Sequence, residues 1–192
     1  MKYISCVETA KLIRLALKDA FPGVKFNVKS KQYSGGASIS IYYQDGPAAD
    51  NVKAVVSVFE GSYFDGMIDY KGLNYAELDG EPVRFGADFV FVNREYSDAL
   101  IAQAIDNLYA KYPGNFADAD YDKPVAAQYK AGDLYNKYIP GLGGAYYDSL
   151  QAYVGKELAE IGADIVPAAL SKFKYAGNDG YGFGGDGYPK AA

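Results

Sequence analysis

The chain has 192 residues, of which 49% are apolar and 22% charged, and it carries a net charge of −5. These values are typical of a soluble globular protein with one or two small domains. The chain contains no histidine and a single cysteine, Cys6. Ser-His-Asp and Cys-His catalysis, ordinary zinc sites and an internal disulfide are therefore excluded. This composition favours a binding protein over an enzyme, and we expect no cofactor.

The first predicted element is a helix that begins after Ser5. Ser5 and Glu8 have the spacing of a capping box, and apolar residues recur at helical intervals as far as Phe21. Charges interrupt this pattern, and no apolar run approaches the roughly 18 residues of a membrane span. We therefore expect no signal peptide and no membrane segment, and we expect the protein to act in the cytoplasm of a host cell.

A β-hairpin and a second helix are predicted next. Polar and apolar residues alternate over 24–31 and 37–43 on either side of Gly35 and Gly36, which is typical of two strands and a tight turn. Asp50 is the expected N-cap of the following helix. The Gly- and Asp-rich residues 62–87 predict an irregular loop with one short strand.

A buried strand and a third helix complete the first predicted domain. Residues 89–92 are apolar on both faces, which is typical of an interior strand, and Ser97 is the expected cap of a helix that ends at Tyr112. Residues 1–112 are thus predicted to form an α+β domain, with helices packed on a small, mainly antiparallel sheet of a hairpin plus one or two strands.

The composition changes after residue 112, where Tyr, Ala, Asp and Gly become frequent. Residues 113–175 predict a helical, tyrosine-rich extension, with helices near 123–138 and 146–161. Residues 176–192 form a segment rich in Gly, Tyr and Asp, and we expect this tail to be flexible.

Four segments of the first domain resemble one known family. They read YSGGASISI, DGP, FEGSYFDGMIDYK and VRFGADFVFVNREYS in this order. They resemble a large polyvalent protein-associated domain, over roughly residues 3–112. Such domains are accessory modules of phages and conjugative elements, where they accompany enzymes and counter-defence modules. The resemblance implies an accessory role and supplies no catalytic residues.

Charge is distributed unevenly along the chain. Residues 1–44 contain seven Lys and Arg and two Asp and Glu. Residues 45–192 contain twelve Lys and Arg and twenty-two Asp and Glu. Basic side chains interleaved with rings can follow a phosphate backbone and stack on bases. The candidate nucleic-acid contacts are Lys11, Arg14, Lys18, Lys25, Lys29, Lys31, Tyr33 and Tyr42. The simpler interpretation is a solvated basic face.

The second half of the chain combines carboxylates with rings. Tyrosine is frequent at protein interfaces because it buries a large area with little loss of entropy. The candidate protein-binding residues are Asp118, Asp120, Tyr121, Asp122, Tyr129, Asp133 and Tyr135. Such an acidic surface can imitate phosphate in the nucleic-acid channel of another protein. A merely soluble helical extension is the alternative.

Carboxylates also cluster in the chain around residues 60–69. Glu60, Asp65 and Asp69 offer the oxygen ligands of a hard cation, but Asp and Gly are also ordinary turn residues. Asp50 together with Asp69, Tyr70 and Lys71 is similar to the acid and acid-x-lysine pattern of metal-dependent nucleases. The structural interpretation is preferred in both cases.

The preferred hypothesis is a non-enzymatic accessory protein of a phage or mobile element that binds a host or phage protein. Its sharper form is an inhibitor of a host defence protein, such as a restriction or CRISPR effector, acting through the acidic, aromatic half. The alternative is a nucleic-acid-binding module that uses the basic hairpin and helix. A carboxylate- and magnesium-dependent nuclease is the third hypothesis.

Overall fold

The computed structural model describes residues 1–142, 148–168 and 171–181. Its strands are β1 (Lys2–Ile4), β2 (Asn27–Tyr33), β3 (Gly36–Gln44), β4 (Ser62–Asp65), β5 (Tyr70–Leu78), β6 (Glu81–Phe85), β7 (Phe89–Glu95) and β8 (Phe173–Asn178). Its helices are α1 (Cys6–Ala20), α2 (Ala49–Val56), α3 (Asp98–Lys111), α4 (Pro113–Ala117), α5 (Ala126–Ala131) and α6 (Leu150–Glu160). The predicted α+β class is confirmed, with two sheets where one was expected.

The N-terminal elements form as their local signals predict. Ser5 N lies 3.0 Å from Glu8 Oε2 and Glu8 N lies 3.3 Å from Ser5 Oγ, so both hydrogen bonds of the capping box are present. β2 and β3 pair as an antiparallel hairpin in which Tyr33 lies opposite Gly36. Cys6 is fully buried at the start of α1, and burial, followed by the negative charge of Asp88, raises the pKa of its thiol. This position suits a core residue and not a nucleophile.

Residues 62–87 form three strands, so the predicted loop with one strand is wrong. These strands belong to a sheet of order β1-β6-β5-β4, in which β8 also pairs with β5. The Gly and Asp residues that suggested a loop form the turns between strands. Asp79 and Gly80 connect β5 to β6 with φ values of 54° and 84°. Positive φ at both positions is the type I′ geometry that matches strand twist in a hairpin.

The two sheets and the first two helices share one hydrophobic core. The second sheet has the order β2-β3-β7. Ile39 and Ile41 of β3 are fully buried together with Ile13 and Leu17 of α1. Phe59, which follows α2, places its ring centroid 5.0 Å from that of Phe85 in the other sheet. The alternating pattern of β3 therefore directs one of its faces into this core.

The chain divides into two compact units that differ from the predicted domains. The first unit comprises Met1–Tyr43, Ala49–Arg94 and the described residues from Val166 onwards, and the second comprises Gln44–Ala48 and Glu95–Ile165. Helix α3 thus belongs to the second unit and not to a domain that ends at residue 112. The reason is that the apolar face of α3 packs against α6 instead of against a sheet.

A strand spans the end of the predicted helical extension, 113–175, and the start of the predicted flexible tail, 176–192, so both predictions are wrong at this point. Phe173–Asn178 forms β8, which pairs antiparallel with β5. The ring centroid of Phe173 lies 4.7 Å from that of Phe59. Asp179 then accepts hydrogen bonds from Tyr63 Oη at 2.7 Å and from Tyr70 Oη at 2.9 Å. Residues 176–181 are therefore held by β5 and its neighbours, and the rest of the predicted tail, 182–192, lies outside the described residues.

The second unit is helical, as predicted. Its core contains the buried face of α3, Leu134, Ile139 and the inward residues of α6. The helix predicted over 123–138 is shorter, since α5 ends at Ala131 and Gly132 follows with a φ of 79°. The helix predicted over 146–161 is α6, and residues 146–147 of that prediction lie outside the described residues. No helix in the described ranges is both long enough and apolar enough to cross a lipid bilayer.

Candidate functional site

The outer face of the three-stranded sheet carries lysines and rings side by side. In the hairpin register Lys29 lies opposite Ser40 and Lys31 opposite Ser38, so both lysines project from the face that does not enter the core. Lys29 Nζ lies 5.4 Å from the ring centroid of Tyr42. A cation at this distance from a ring is attracted by its electron density.

β7 adds two phenylalanines that the sequence analysis did not include. Val90 and Val92 belong to the core, so Phe89 and Phe91 project from the opposite face, with ring centroids 6.3 Å apart. Phe91 is 52% exposed, which corrects the prediction that this strand is interior on both faces. Because all four residues 89–92 are apolar, the sequence carries no signal that distinguishes the two faces of this strand.

Helix α1 lies along the exposed edge of the same sheet. Arg14 Nη2 donates to Val28 O of β2 at 2.6 Å, which holds the helix beside this edge strand. Lys11 and Lys18 are exposed on the same stripe of α1, and Lys25 is exposed just before β2. We call the sheet face and this stripe together the basic face. It consists of Lys11, Arg14, Lys18, Lys25, Lys29, Lys31, Tyr33, Tyr42, Phe89 and Phe91.

The lysines of the basic face form no salt bridges in the described part of the chain, although the charge of Lys11 attracts the carboxylate of Glu8 on the same helix. None of its five lysines forms an ion pair there. Tyr33 is 45% exposed at the end of β2. The structure therefore places the predicted nucleic-acid candidates on one unit, with exposed rings among lysines that form no salt bridge in the described residues.

The predicted protein-binding residues separate into two groups in the structure. Tyr121 and Tyr129 pack against the core of the helical unit, and Tyr121 Oη donates to Tyr138 O at 2.8 Å. Burial is the main cause that raises the pKa of Tyr121 to about 12. Tyr135, in contrast, is 63% exposed. One of the three candidate rings is therefore available to a partner over most of its surface.

The four candidate carboxylates are more accessible than the rings. Asp118, Asp120, Asp122 and Asp133 are exposed, and none of them forms an ion pair with another residue of the described ranges. Other aspartates of this unit do: Asp98 pairs with Lys130, Asp106 with Lys123 and Asp148 with Lys156. The four unpaired carboxylates define the acidic face of the helical unit.

The three candidate metal ligands have separate structural roles or positions. Glu60 accepts from Val90 N at 2.9 Å, and burial raises the pKa of its carboxyl despite this hydrogen bond. Asp65 accepts from Met67 N at 2.9 Å within a turn, and Asp69 occupies that turn with a φ of 50°. Within the ranges that the structure describes, no three acidic or cysteine side chains are grouped so as to hold a metal ion.

The nuclease pattern is likewise used for structure. Asp50 is the second residue of α2 and not its N-cap, and it pairs with Lys53 at 3.4 Å. Lys71 Nζ lies 2.7 Å from Asp88 Oδ2, a carboxylate that the sequence analysis did not consider. Asp88 lies 17 residues further along the chain, so no local spacing indicated this pair.

One family model matches the chain. Residues 4–97 match the family described as large polyvalent protein associated domain 29. The match confirms the resemblance seen in the sequence and covers every strand from β2 to β7. No curated protein and no solved structure gives a significant match.

Proposed function

We propose that this protein works by binding nucleic acid through its basic face. The match of residues 4–97 to large polyvalent protein associated domain 29 supports a role as an accessory protein of a phage or mobile element. The lysines would contact phosphates, and the exposed rings would stack on bases. The observation that carries the proposal is the position of Lys29 and Lys31 among Tyr42 and the two phenylalanines on one sheet surface.

This surface favours single-stranded nucleic acid over a duplex. Aromatic side chains stack on bases that are free of pairing, at about 1–3 kcal/mol per base, and every base presents such a face. Lysines supply a sequence-independent attraction to phosphate that weakens as salt is added. The net charge of −5 opposes non-specific attraction at a distance, so binding depends on this local cluster.

A titration of labelled oligonucleotides tests the proposal. Fluorescence anisotropy would be measured with single-stranded and duplex DNA of equal length, at about 50 and about 200 mM salt. We expect the single strand to bind more tightly than the duplex, and its affinity to fall steeply at the higher salt. No saturable binding of either form below micromolar concentration at low salt would contradict the proposal.

The acidic face supports a second candidate function, the binding and inhibition of a host defence protein. Four exposed carboxylates that form no ion pair within the described residues make a negative surface, whereas Asp98, Asp106 and Asp148 of the same unit pair with lysines. A surface of this charge complements a basic nucleic-acid channel. Purified protein would be used to capture host proteins, alongside a variant with Asp118, Asp120, Asp122 and Asp133 all changed to Asn.

The comparison of those two captures decides the second candidate. A stoichiometric partner that binds the wild type and is lost with the asparagine variant supports inhibition through the acidic face. Capture that is equal for both proteins, or the absence of any stoichiometric partner, contradicts it.

A further inference from the structure

A cavity of about 400 Å³ lies in the first unit, and Tyr33 of the basic face is among the residues that line it. Its walls come from β1, the turn between β2 and β3, β5, β6 and the segment before β7. The side chains that determine its chemistry are Tyr3, Tyr33, Lys71, Arg84 and Asp88. This volume lies in the range of small-molecule sites in proteins.

Arg84 supplies a cation with an unused donor. Tyr3 and Arg84 are register partners in the parallel pair β1 and β6, so both side chains leave the same face of the sheet. The guanidinium carbon lies 5.9 Å from the ring centroid of Tyr3. Arg84 Nε is buried and has no hydrogen-bond partner among the described residues. A buried donor without an acceptor is costly, and an acceptor on a ligand would remove that cost.

Lys71 and Asp88 carry opposite charges that cancel, so the excess charge of the cavity comes from Arg84. Asp88 accepts from Lys71 Nζ, Ala37 N and Ser62 Oγ, so its negative charge is fully engaged by the protein. Counting Arg84, the cavity holds two cations and one carboxylate. The excess charge is positive, and a guanidinium beside an ammonium is well suited to phosphate oxygens.

Two glycines let side chains of the cavity lie directly against the backbone. A Cβ at Gly36 would lie 2.0 Å from Asp88 Oδ2, and a Cβ at Gly86 would lie 2.4 Å from Tyr3 Oη. Each glycine therefore makes room for a side chain of the cavity. Tyr3 as a whole is 60% exposed, so a planar group can approach it at the mouth of the cavity.

We propose that this cavity binds a nucleotide phosphomonoester, with the phosphate at Arg84 and Lys71 and the base against the ring of Tyr3. The ligand is either a free mononucleotide or the phosphorylated end of a nucleic-acid strand, since both present the same chemical group. The proposal shares only Tyr33 with the basic face, so it stands or fails separately from nucleic-acid binding along that surface.

Calorimetric titration with chosen probes tests the cavity. The probes are AMP, adenosine, inorganic phosphate, and one short oligonucleotide with a 5′-phosphate or a 5′-hydroxyl end. We expect AMP to bind more tightly than phosphate, and adenosine more weakly than AMP. If the oligonucleotide with a 5′-phosphate binds more tightly than the one with a 5′-hydroxyl, the ligand is the phosphorylated end of a strand. If the two oligonucleotides bind equally and AMP also binds, the ligand is a free nucleotide.

The variant Arg84→Gln should weaken AMP binding by about tenfold or more, because it removes the charge and the guanidinium fork. Lys53→Gln on α2 removes one charge outside the cavity and should leave binding unchanged. As a measurement that needs no variant, the Nε–H resonance of Arg84 in the wild type should shift when AMP is added. The proposal is overturned if AMP does not bind the wild type, if the control lowers affinity as much as Arg84→Gln, or if the Arg84 resonance does not move.

Discussion

Asp88 Oδ2 lies 2.7 Å from Lys71 Nζ, and Asp88 connects the two sheets of the first unit. The same carboxylate accepts from Ala37 N of β3 at 3.1 Å and from Ser62 Oγ of β4 at 3.0 Å. Burial disfavours the charge, but the hydrogen bonds from Lys71, Ala37 and Ser62 outweigh it and hold the pKa of Asp88 below its ordinary value. One aspartate therefore links elements of both sheets.

We expect Asp88→Ala to lower the free energy of unfolding by about 2 kcal/mol, because it leaves a buried backbone donor and an ammonium without their acceptor. Urea unfolding at pH 7 measures this loss. Asp50→Ala is the matched control, since it breaks an exposed ion pair that stabilises little. An equal loss in both variants would show that the geometry of Asp88 has no special effect.

The stabilisation by Asp88 should depend on pH in a defined direction. A carboxyl whose pKa is lowered in the folded state stabilises that state fully when the pH is above its unfolded-state pKa, which is about 3.9 for aspartate. That contribution is lost as the pH falls through the lowered, folded-state value. The difference in stability between wild type and Asp88→Ala should therefore be constant near neutral pH and shrink in strong acid. A difference that grows on acidification would contradict this assignment.

Glu60→Gln should keep or slightly raise stability at pH 7. Burial raises the pKa of Glu60, so its ionised form is disfavoured in the folded protein, whereas glutamine can still accept from Val90 N without a charge. For a raised pKa the contribution of the group to stability declines as pH rises from the unfolded-state to the folded-state value. The advantage of the variant should consequently be larger at pH 7 than at pH 4, as measured by thermal unfolding. Glu77→Gln on β5 is a matched control, because it makes the same chemical change at a side chain that is only partly buried.

Asp179→Ala should release the end of β8. Asp179 accepts from Tyr63, from Tyr70 and from Leu73 N at 2.8 Å, and the hydrogen bond from Tyr70 is the main cause that raises the pKa of Tyr70 to about 12. Without this acceptor the pKa of Tyr70 should fall towards about 10. A spectroscopic titration of tyrosinate absorbance should then show one more tyrosine that ionises near pH 10.

The same variant should unfold at a lower temperature than the wild type. Because the pKa of Tyr70 is raised to about 12, the contribution of this tyrosine to the free energy of unfolding is complete below pH 10. It is lost as the pH rises towards 12. Asp164→Ala, in the helical unit, is the control. An unchanged tyrosinate titration in Asp179→Ala would refute the anchoring role of this carboxylate.

The double variant Lys29→Glu and Lys31→Glu should weaken binding of single-stranded DNA by about tenfold or more at low salt. If both lysines contact phosphates, the slope of log affinity against log salt should also fall by about 1–2. Lys53→Glu is the control, because this lysine lies on α2 and outside the basic face. Anisotropy titrations at four salt concentrations measure both quantities. A slope that stays unchanged in the double variant would exclude these lysines as phosphate contacts.

The elements that the sequence predicted well have their signals within a few residues. The capping box joins Ser5 and Glu8 across three positions, and Ser97 caps α3 through Leu100 N in the same way. The hairpin of β2 and β3 needs only an alternating pattern and a glycine turn. The hairpin of β5 and β6 carried an equally clear signal at Asp79 and Gly80, which the general abundance of Gly and Asp obscured.

The candidate nucleic-acid face was predicted in part for a related reason. Alternation along β2 and β3 shows which residues share a face, so Lys29, Lys31 and Tyr42 were identified together. Phe91 was missed because its exposure depends on the place of β7 at the side of a sheet, which the residues of β7 do not reveal.

By itself the sequence predicted the α+β class and the local elements, because capping, turn formation and alternation depend on neighbours in the chain, and it showed a resemblance to one domain family. Only the tertiary structure decided which residues meet over long separations. Asp88 and Ala37 are 51 residues apart, and Asp179 and Tyr63 are 116 apart. Such contacts follow from the packing of whole strands, so the inter-sheet link, the anchored strand β8 and the cavity around Arg84 become visible only when the chain is folded.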